Sequence, residues 1–170
     1  LPAANPPQYH DRSTTGRIMW TVSACLLPAA GWGVYVFGTR ALLVLGLSLF
    51  AAIIAEALAA KMAGRSTLRD GSAVVAGLLI GMSMPPSVPL FIPVVASAFA
   101  MVVVKWSFGG LGTNWMNPAL AGRVFVFFSW TGHMTRWTLP RTLASAAGAV
   151  DGASAATPLG LVQQGAGASA

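Results

Sequence analysis

Long uncharged apolar runs separated by short polar stretches dominate the chain. Ile18 to Thr39 carries no charge, Ala41 to Ala60 carries only Glu56, and Gly71 to Val104 carries none. Such runs match helices that cross a bilayer, which need about 20 apolar residues. A first span is predicted over about Ile18 to Phe37, closed by Gly38 and kinked by Pro28 with Gly31 and Gly33. The tight turn Gly38-Thr39-Arg40 allows only an antiparallel return, so a second span follows over about Ala41 to Met62. The third apolar segment, Gly71 to Met84, would rise about 20 Å as a helix, short of the roughly 30 Å of hydrocarbon. Met84-Pro85-Pro86-Ser87-Val88-Pro89 cannot continue a helix. The third helix is therefore expected to break within the membrane, with its freed backbone groups buried by other spans. A fourth span runs from about Pro89 to Trp106. After the loop Ser107 to Asn117, Asn117 can cap a fifth that begins at Pro118 and reaches about Trp137. The expected fold is all-α, a polytopic transmembrane helical protein of about five spans including a broken third helix.

Three organisational units follow. Residues 1–17, with three prolines and several polar side chains, read as an N-terminal arm. Residues 18–137 form the transmembrane helical domain. Residues 138–170, small and polar after Arg141, form an extracytoplasmic segment that composition alone would make a linker.

Composition narrows the class. The chain has 55% apolar and 8% charged residues, against roughly 25% charged in soluble domains, and this argues against a water-soluble fold. The net charge of +6 does not indicate nucleic acid, because the basic residues sit at the ends of apolar runs and form no patch with interleaved aromatics. Arg12, Arg17, Lys61, Arg65, Arg69, Lys105 and Arg123 fall on one side of the predicted membrane, and Arg40, Arg136 and Arg141 on the other. This asymmetry places the N-terminus in the cytoplasm and the segment after the fifth span outside. The single cysteine, Cys25, permits no intrachain disulfide, and the first apolar run is too long for a cleavable signal core.

Candidate chemistry is sparse. Gly109-Gly110-Leu111-Gly112 lacks the preceding strand and spacing of a dinucleotide fingerprint and reads as a tight interhelical turn, with Asn114 and Asn117 satisfying backbone groups. Glu56 lies about one turn inside the second span. It is either a functional intramembrane acid or an interfacial glutamate reaching water or a basic neighbour. Asp70 is placed to N-cap the third helix, and Gly77 with Gly81 forms a GxxxG pair for close helix packing. His10 and His133 have no metal-type spacing, and no arrangement of nucleophile, base and acid can be assembled, so neither a metal site nor a catalytic residue is expected. In Asp151-Gly152-Ala153-Ser154-Ala155-Ala156-Thr157-Pro158-Leu159, a threonine hydroxyl flanked by alanines would not obstruct a bulky adduct. The proline after it holds the preceding backbone extended. On the residues alone this is an ordinary loop.

Asp70-Gly71-Ser72, Gly77-Leu78-Leu79 leading to Met84-Pro85-Pro86, Lys105, Phe108 to Gly112, Asn114, Asn117-Pro118-Ala119 and Ser154 to Leu159 occur in one characteristic order. In that order and spacing the chain resembles the RnfD/NqrB family, the D subunit of Rnf-type electron-transport complexes and the B subunit of the sodium-pumping NADH:quinone oxidoreductase. The similarity covers about Ile18 to Leu159, and it is closer to RnfD. Family members often carry glycine or serine in place of Ala155 and are roughly twice as long, so this chain looks like their N-terminal half, one half of a two-repeat bundle.

The resemblance implies a membrane flavoprotein subunit of a bacterial inner-membrane, ion-translocating ferredoxin:NAD oxidoreductase complex. FMN would be held covalently through a phosphoester to Thr157, with Ser154 beside it in the cofactor-binding motif. A second, noncovalent flavin can sit among the spans in that family. The implied partners are other Rnf-type subunits, including an external flavin-carrying one, a flavin transferase and the lipid membrane. Electron relay would be coupled to Na+ or H+ translocation. The alternatives are a channel or secondary transporter subunit that uses the broken helix as its binding site, and a non-redox assembly subunit with a vestigial loop.

Overall fold

A computed structural model describes residues 13–64, 68–110, 112–138, 140–141 and 154–155. Helices occupy each of the five predicted positions. α1 spans Thr15–Phe37 and α2 spans Thr39–Met62, and both are long and apolar enough to cross a membrane. α3 (Ser72–Met82), α4 (Phe91–Phe99) and α5 (Pro118–Ser129) are shorter. α4 runs on without interruption as a π-helix over Ala100–Trp106. A 3₁₀ turn, Leu68–Asp70, precedes α3, and a single turn α6 (Thr131–Met134) follows α5. Strand β1 (Trp137–Thr138) pairs antiparallel with β2 (Ser154–Ala155), with Trp137 opposite Ala155 and Thr138 opposite Ser154.

One residue separates α1 from α2. Gly38 adopts φ 80°, and the space a side chain would need there is filled by the Arg141 guanidinium. A β-carbon is thus excluded by conformation and by volume together. Pro28 sits inside α1 as expected.

α2 is central, packing on α3 and α4 with a stripe that recurs at helical spacing: Val44, Ser48, Ala51, Ala52, Ala55, Glu56 and Ala60 are its buried residues. Small residues on this stripe let neighbouring backbones approach, the packing used where lipid removes the hydrophobic drive between helices. The GxxxG pair supplies the other surface. A β-carbon on Gly77 would lie 2.7 Å from Leu49 Cα, and one on Gly81 would lie 2.8 Å from Leu45 Cα. Gly122 meets α4 in the same way, 2.6 Å from the Ala96 carbonyl oxygen. Gly81→Leu or Gly77→Leu is accordingly expected to force α2 and α3 apart and destabilise by about 1–3 kcal/mol, as overpacking does. Gly46 on the outer side of α2, with open space around it, is the control. Thermal unfolding of the detergent-solubilised protein should separate them, and equal midpoints for Gly81→Leu and Gly46→Leu would contradict this packing.

The third helix ends at Met82, and the chain then turns through buried Met84, Pro85, Pro86 and Val88 into α4. Its backbone groups are used locally: Ser83 N–H donates to the Leu79 and Ile80 carbonyls, and Val88 N–H to that of Pro85. Val44, Ile80, Val88, Ile92, Ala96 and Val126 close the core around this break. The predicted broken helix is therefore present, and its break is packed inside the bundle.

The fourth helix, Phe91 to Trp106, matches its predicted bounds, with its second half wound as a π-helix. Two expectations need correction. The fifth helix stops at Ser129, well before Trp137, because Trp130 leaves helical geometry (φ −134°, ψ 51°) and sets its ring edge-on to Phe91 at 5.5 Å. Asp70 caps by a turn of its own: Gly71, at φ 73°, holds the N-cap position, and the Asp70 carboxylate accepts from Ser72 N–H at 2.9 Å.

Candidate functional site

Five polar side chains from four places in the chain converge at the end of the bundle where α2 finishes and α3 begins. Glu56 lies on α2 with no exposed surface, and Lys105, in the π-helix, is 1% exposed. The Lys105 ammonium donates to Glu56 Oε1 at 2.7 Å and to Ser72 Oγ at 2.7 Å. Trp106 Nε1–H donates to the second carboxylate oxygen, Oε2, at 2.9 Å. Ser72 Oγ–H in turn donates to Asp70 Oδ1. The network therefore runs from half-buried Asp70 through Ser72 and Lys105 to fully buried Glu56.

Local structure explains the convergence. In a π-helix each N–H bonds to the carbonyl five residues back, so successive side chains diverge less than in an α-helix. Lys105 and Trp106, adjacent in sequence, can then both reach one carboxylate, one on each oxygen. Ser72 is the first residue of α3, held by the Asp70-Gly71 turn, which is in turn pinned to α1 by the Trp20 indole N–H on the Arg69 carbonyl at 3.2 Å. A charge buried without a partner is prohibitive, whereas a pair with its remaining lone pairs and protons hydrogen-bonded is tolerated. Here both carboxylate oxygens and two of the three ammonium protons are used.

A cavity of about 460 Å³ adjoins the network. Ser72, Lys105, Asn114 and Asn117 supply its polar lining, and Met19, Met101 and Met116 are among its apolar walls. Asn117 also caps α5, accepting from Ala119 N–H at 2.9 Å and Leu120 N–H at 3.4 Å, as its place before Pro118 predicts. Asn114, with its amide oriented as its surroundings require, donates to the carbonyls of Gly110 (3.1 Å) and Lys105 (3.3 Å). Gly109, Gly110 and Gly112 all have positive φ and form the tight turn read from the sequence.

The structure assigns Glu56 to a buried ion pair. Of the two readings left open for it, a functional intramembrane acid and an interfacial glutamate reaching water or a basic neighbour, the second finds its basic neighbour, though away from water. Lys105, counted from the sequence as a charge marking a span end and as one residue of the family's motif order, is that neighbour. Its signal was present: two lone opposite charges sit near the same membrane face at the ends of two apolar runs. Thr157 lies outside the described residues, and Ser154 is described only through its backbone pairing with Thr138. His133 is exposed, and among the described residues no group of three potential metal ligands occurs.

The model of the NQR2, RnfD, RnfE family matches residues 3–169. The chain is 39% identical over 167 residues to the D subunit of the Na(+)-translocating ferredoxin:NAD(+) oxidoreductase complex of Acetobacterium woodii, covering 97% of this chain and 50% of that protein. It is 38% identical over 161 residues to the D subunit of the proton-translocating ferredoxin:NAD(+) oxidoreductase complex of Clostridium ljungdahlii, covering 94% of this chain and 47% of that protein. Against the D subunit of the ion-translocating oxidoreductase complex of Pectobacterium atrosepticum the identity is 40% over 144 residues, 82% of this chain and 41% of the other. The chain spans about half the length of the curated relatives it matches.

Proposed function

We infer the function from one premise: this chain belongs to the NQR2, RnfD, RnfE family. On that premise it acts as a membrane subunit of an ion-translocating ferredoxin:NAD oxidoreductase complex of the Rnf type. It would sit in the bacterial inner membrane with its N-terminus in the cytoplasm, relaying electrons in step with Na+ or H+ movement. The observation that carries this reading is the near-complete coverage of the chain by the D subunits of such complexes.

Flavin supplies the redox chemistry, and the chain's part is to hold, orient and shield it. Thr157 offers the hydroxyl to which FMN would be joined as a phosphoester by a separate transferase, with Ser154 as its neighbour. The cavity beside the ion pair suits a second, noncovalent flavin: its size is within the usual range for small-molecule sites. Lys105, Ser72, Asn114 and Asn117 would face the polar edge of such a ring, and the methionine walls its apolar faces. The Glu56–Lys105 pair fixes the ammonium at that edge.

The broken third helix favours a second reading, a channel or secondary transporter subunit. One experiment decides between them. The full-length subunit, coexpressed with its flavin transferase, is denatured and run on a gel. Flavin fluorescence that stays with the polypeptide is the expected result. Its absence, together with substrate flux in vesicles containing the subunit, would favour the transporter.

A further inference from the structure

The outer side of the turn that carries Ser72 brings two arginines together. The first turn of α1 lies against the 3₁₀ turn Leu68–Asp70: a β-carbon on Gly16 would be 3.8 Å from Asp70 Cα and 3.9 Å from the Arg69 carbonyl oxygen, ordinary contact distances. Arg17 follows Gly16, so Arg17 and Arg69, distant in the chain, rise from touching stretches of backbone. Both side chains are exposed, and among the described residues neither makes a salt bridge. The acid beside them, Asp70, has one carboxylate oxygen committed to Ser72 N–H and Oγ–H. Trp20 stands three residues after Arg17, on the same face of α1. Its indole N–H is fixed on the Arg69 carbonyl, and its ring lies against Gly71, where a β-carbon would meet ring atoms at 3.2 to 3.3 Å. The residue is still 51% exposed. Further along this face Ala24 and Leu27 are exposed as well.

We propose that Arg17, Arg69 and Trp20 bind the phosphate of an anionic phospholipid, with one acyl chain lying along Trp20, Ala24 and Leu27 of α1. The inference rests on the reading of α1 as a membrane span. Charge, indole and apolar surface follow one another along α1 in the order phosphate, glycerol and acyl chain take with depth in a leaflet. A guanidinium offers paired N–H donors that match phosphate oxygens, and an arginine near the start of a helix reaches back towards that start, here towards the headgroups. Tryptophan is the residue that settles at headgroup level. Two cations without an acidic partner select a lipid of net negative charge, because a zwitterionic headgroup would bring a third cation to the same place. The bound lipid also has a structural consequence. It ties α1 to the Asp70-Gly71 turn from outside, and that turn holds the Ser72 hydroxyl that accepts from Lys105, so occupancy braces the buried network.

The test uses the full-length subunit, delipidated in a nonionic detergent, with three probes: phosphatidylglycerol, phosphatidylcholine of the same acyl chains, and water-soluble glycerol phosphate. Native mass spectrometry reads the affinity for each, and thermal unfolding reads the bracing. Phosphatidylglycerol is expected to bind and to raise the unfolding midpoint well above either of the other two. Arg17→Gln/Arg69→Gln should weaken that binding about 10–30-fold, from the usual contribution of each arginine near an anionic headgroup, and remove the rise in midpoint. Arg17→Lys/Arg69→Lys, which keeps the charges and loses the paired donors, should fall between. Arg40→Gln/Arg136→Gln, an exposed pair at the other end of the bundle, should leave binding within about twofold, since it lies beyond the reach of a screened charge. Unchanged phosphatidylglycerol binding in Arg17→Gln/Arg69→Gln would overturn the site, and so would an equal loss in the distant pair, which would mark a general charge effect. Equal stabilisation by phosphatidylcholine would reduce the site to apolar contact, and equal stabilisation by glycerol phosphate would make it an anion site without a lipid; either overturns the proposal. In all of these cases a subunit that still needs detergent leaves the membrane reading standing, whereas one that stays soluble without it overturns both.

Discussion

Replacing Lys105 by methionine is expected to destabilise the protein by about 3–5 kcal/mol, the range found when one partner of a buried ion pair is removed. The substitution changes volume little, so the loss comes from charge. Glu56 would keep Trp106 on one oxygen and lose the cation on the other, with no exposed surface through which water could replace it. Ser72 would lose a donor while still donating to Asp70. Glu56→Gln should be similarly harmful, because it strands the ammonium. The double variant Glu56→Gln/Lys105→Met removes both charges and leaves an acceptor for Trp106, so it should recover most of the loss. Thermal unfolding of the four proteins in detergent gives the coupling as the departure from additivity, expected at the upper end of about 0.5–3 kcal/mol for residues in direct contact. Strict additivity would show that the pair does not act as a unit. Electron transfer and ion translocation by the double variant then report whether the two charges serve anything beyond joining α2, α3 and the π-helix.

The apolar runs made the helices legible, and the turn residues made their ends legible: Gly38 closes α1, Asn117 and Pro118 open α5, and the prolines from Pro85 to Pro89 end α3. These features depend on backbone rules that act within a few residues. What the sequence hid depends on contacts between distant segments. Lys105 lies 49 residues from Glu56 and 33 from Ser72, and nothing local announces that the last turns of the fourth helix widen into a π-helix. The buried position of Glu56 was obscured for the same reason. Its depth along α2 could be counted, but the face it occupies is decided by α3 and the π-helix packing over it. The stop at Trp130 escaped because its ring contact is with Phe91, on a different helix and distant in the chain. The stretch around Thr157 is the reverse case, an ordinary loop on its residues and a flavin-attachment motif only by resemblance.

Thr157→Ala or Thr157→Val is expected to abolish covalent FMN altogether, since a phosphoester requires a hydroxyl. Thr157→Ser should retain it, and Ser154→Ala should reduce attachment less, because that hydroxyl is only a neighbour in the motif. Thr157 lies outside the apolar runs and far in sequence from the stripe on α2 that organises the bundle. Loss of its hydroxyl should therefore change stability by no more than about 0.5 kcal/mol, read as a nearly unchanged thermal midpoint. Electron flow through the complex should nevertheless stop, because the outer side, where the basic-residue asymmetry puts this segment, is where an external flavin-carrying partner would meet the tethered flavin. Stability retained with electron transfer lost separates a missing cofactor from a misfolded subunit. Mass spectrometry of the peptide containing Thr157, from full-length protein made with its transferase, decides the matter directly. An unmodified peptide in a complex that still transfers electrons at the normal rate would remove the flavoprotein reading and put the transporter reading in its place.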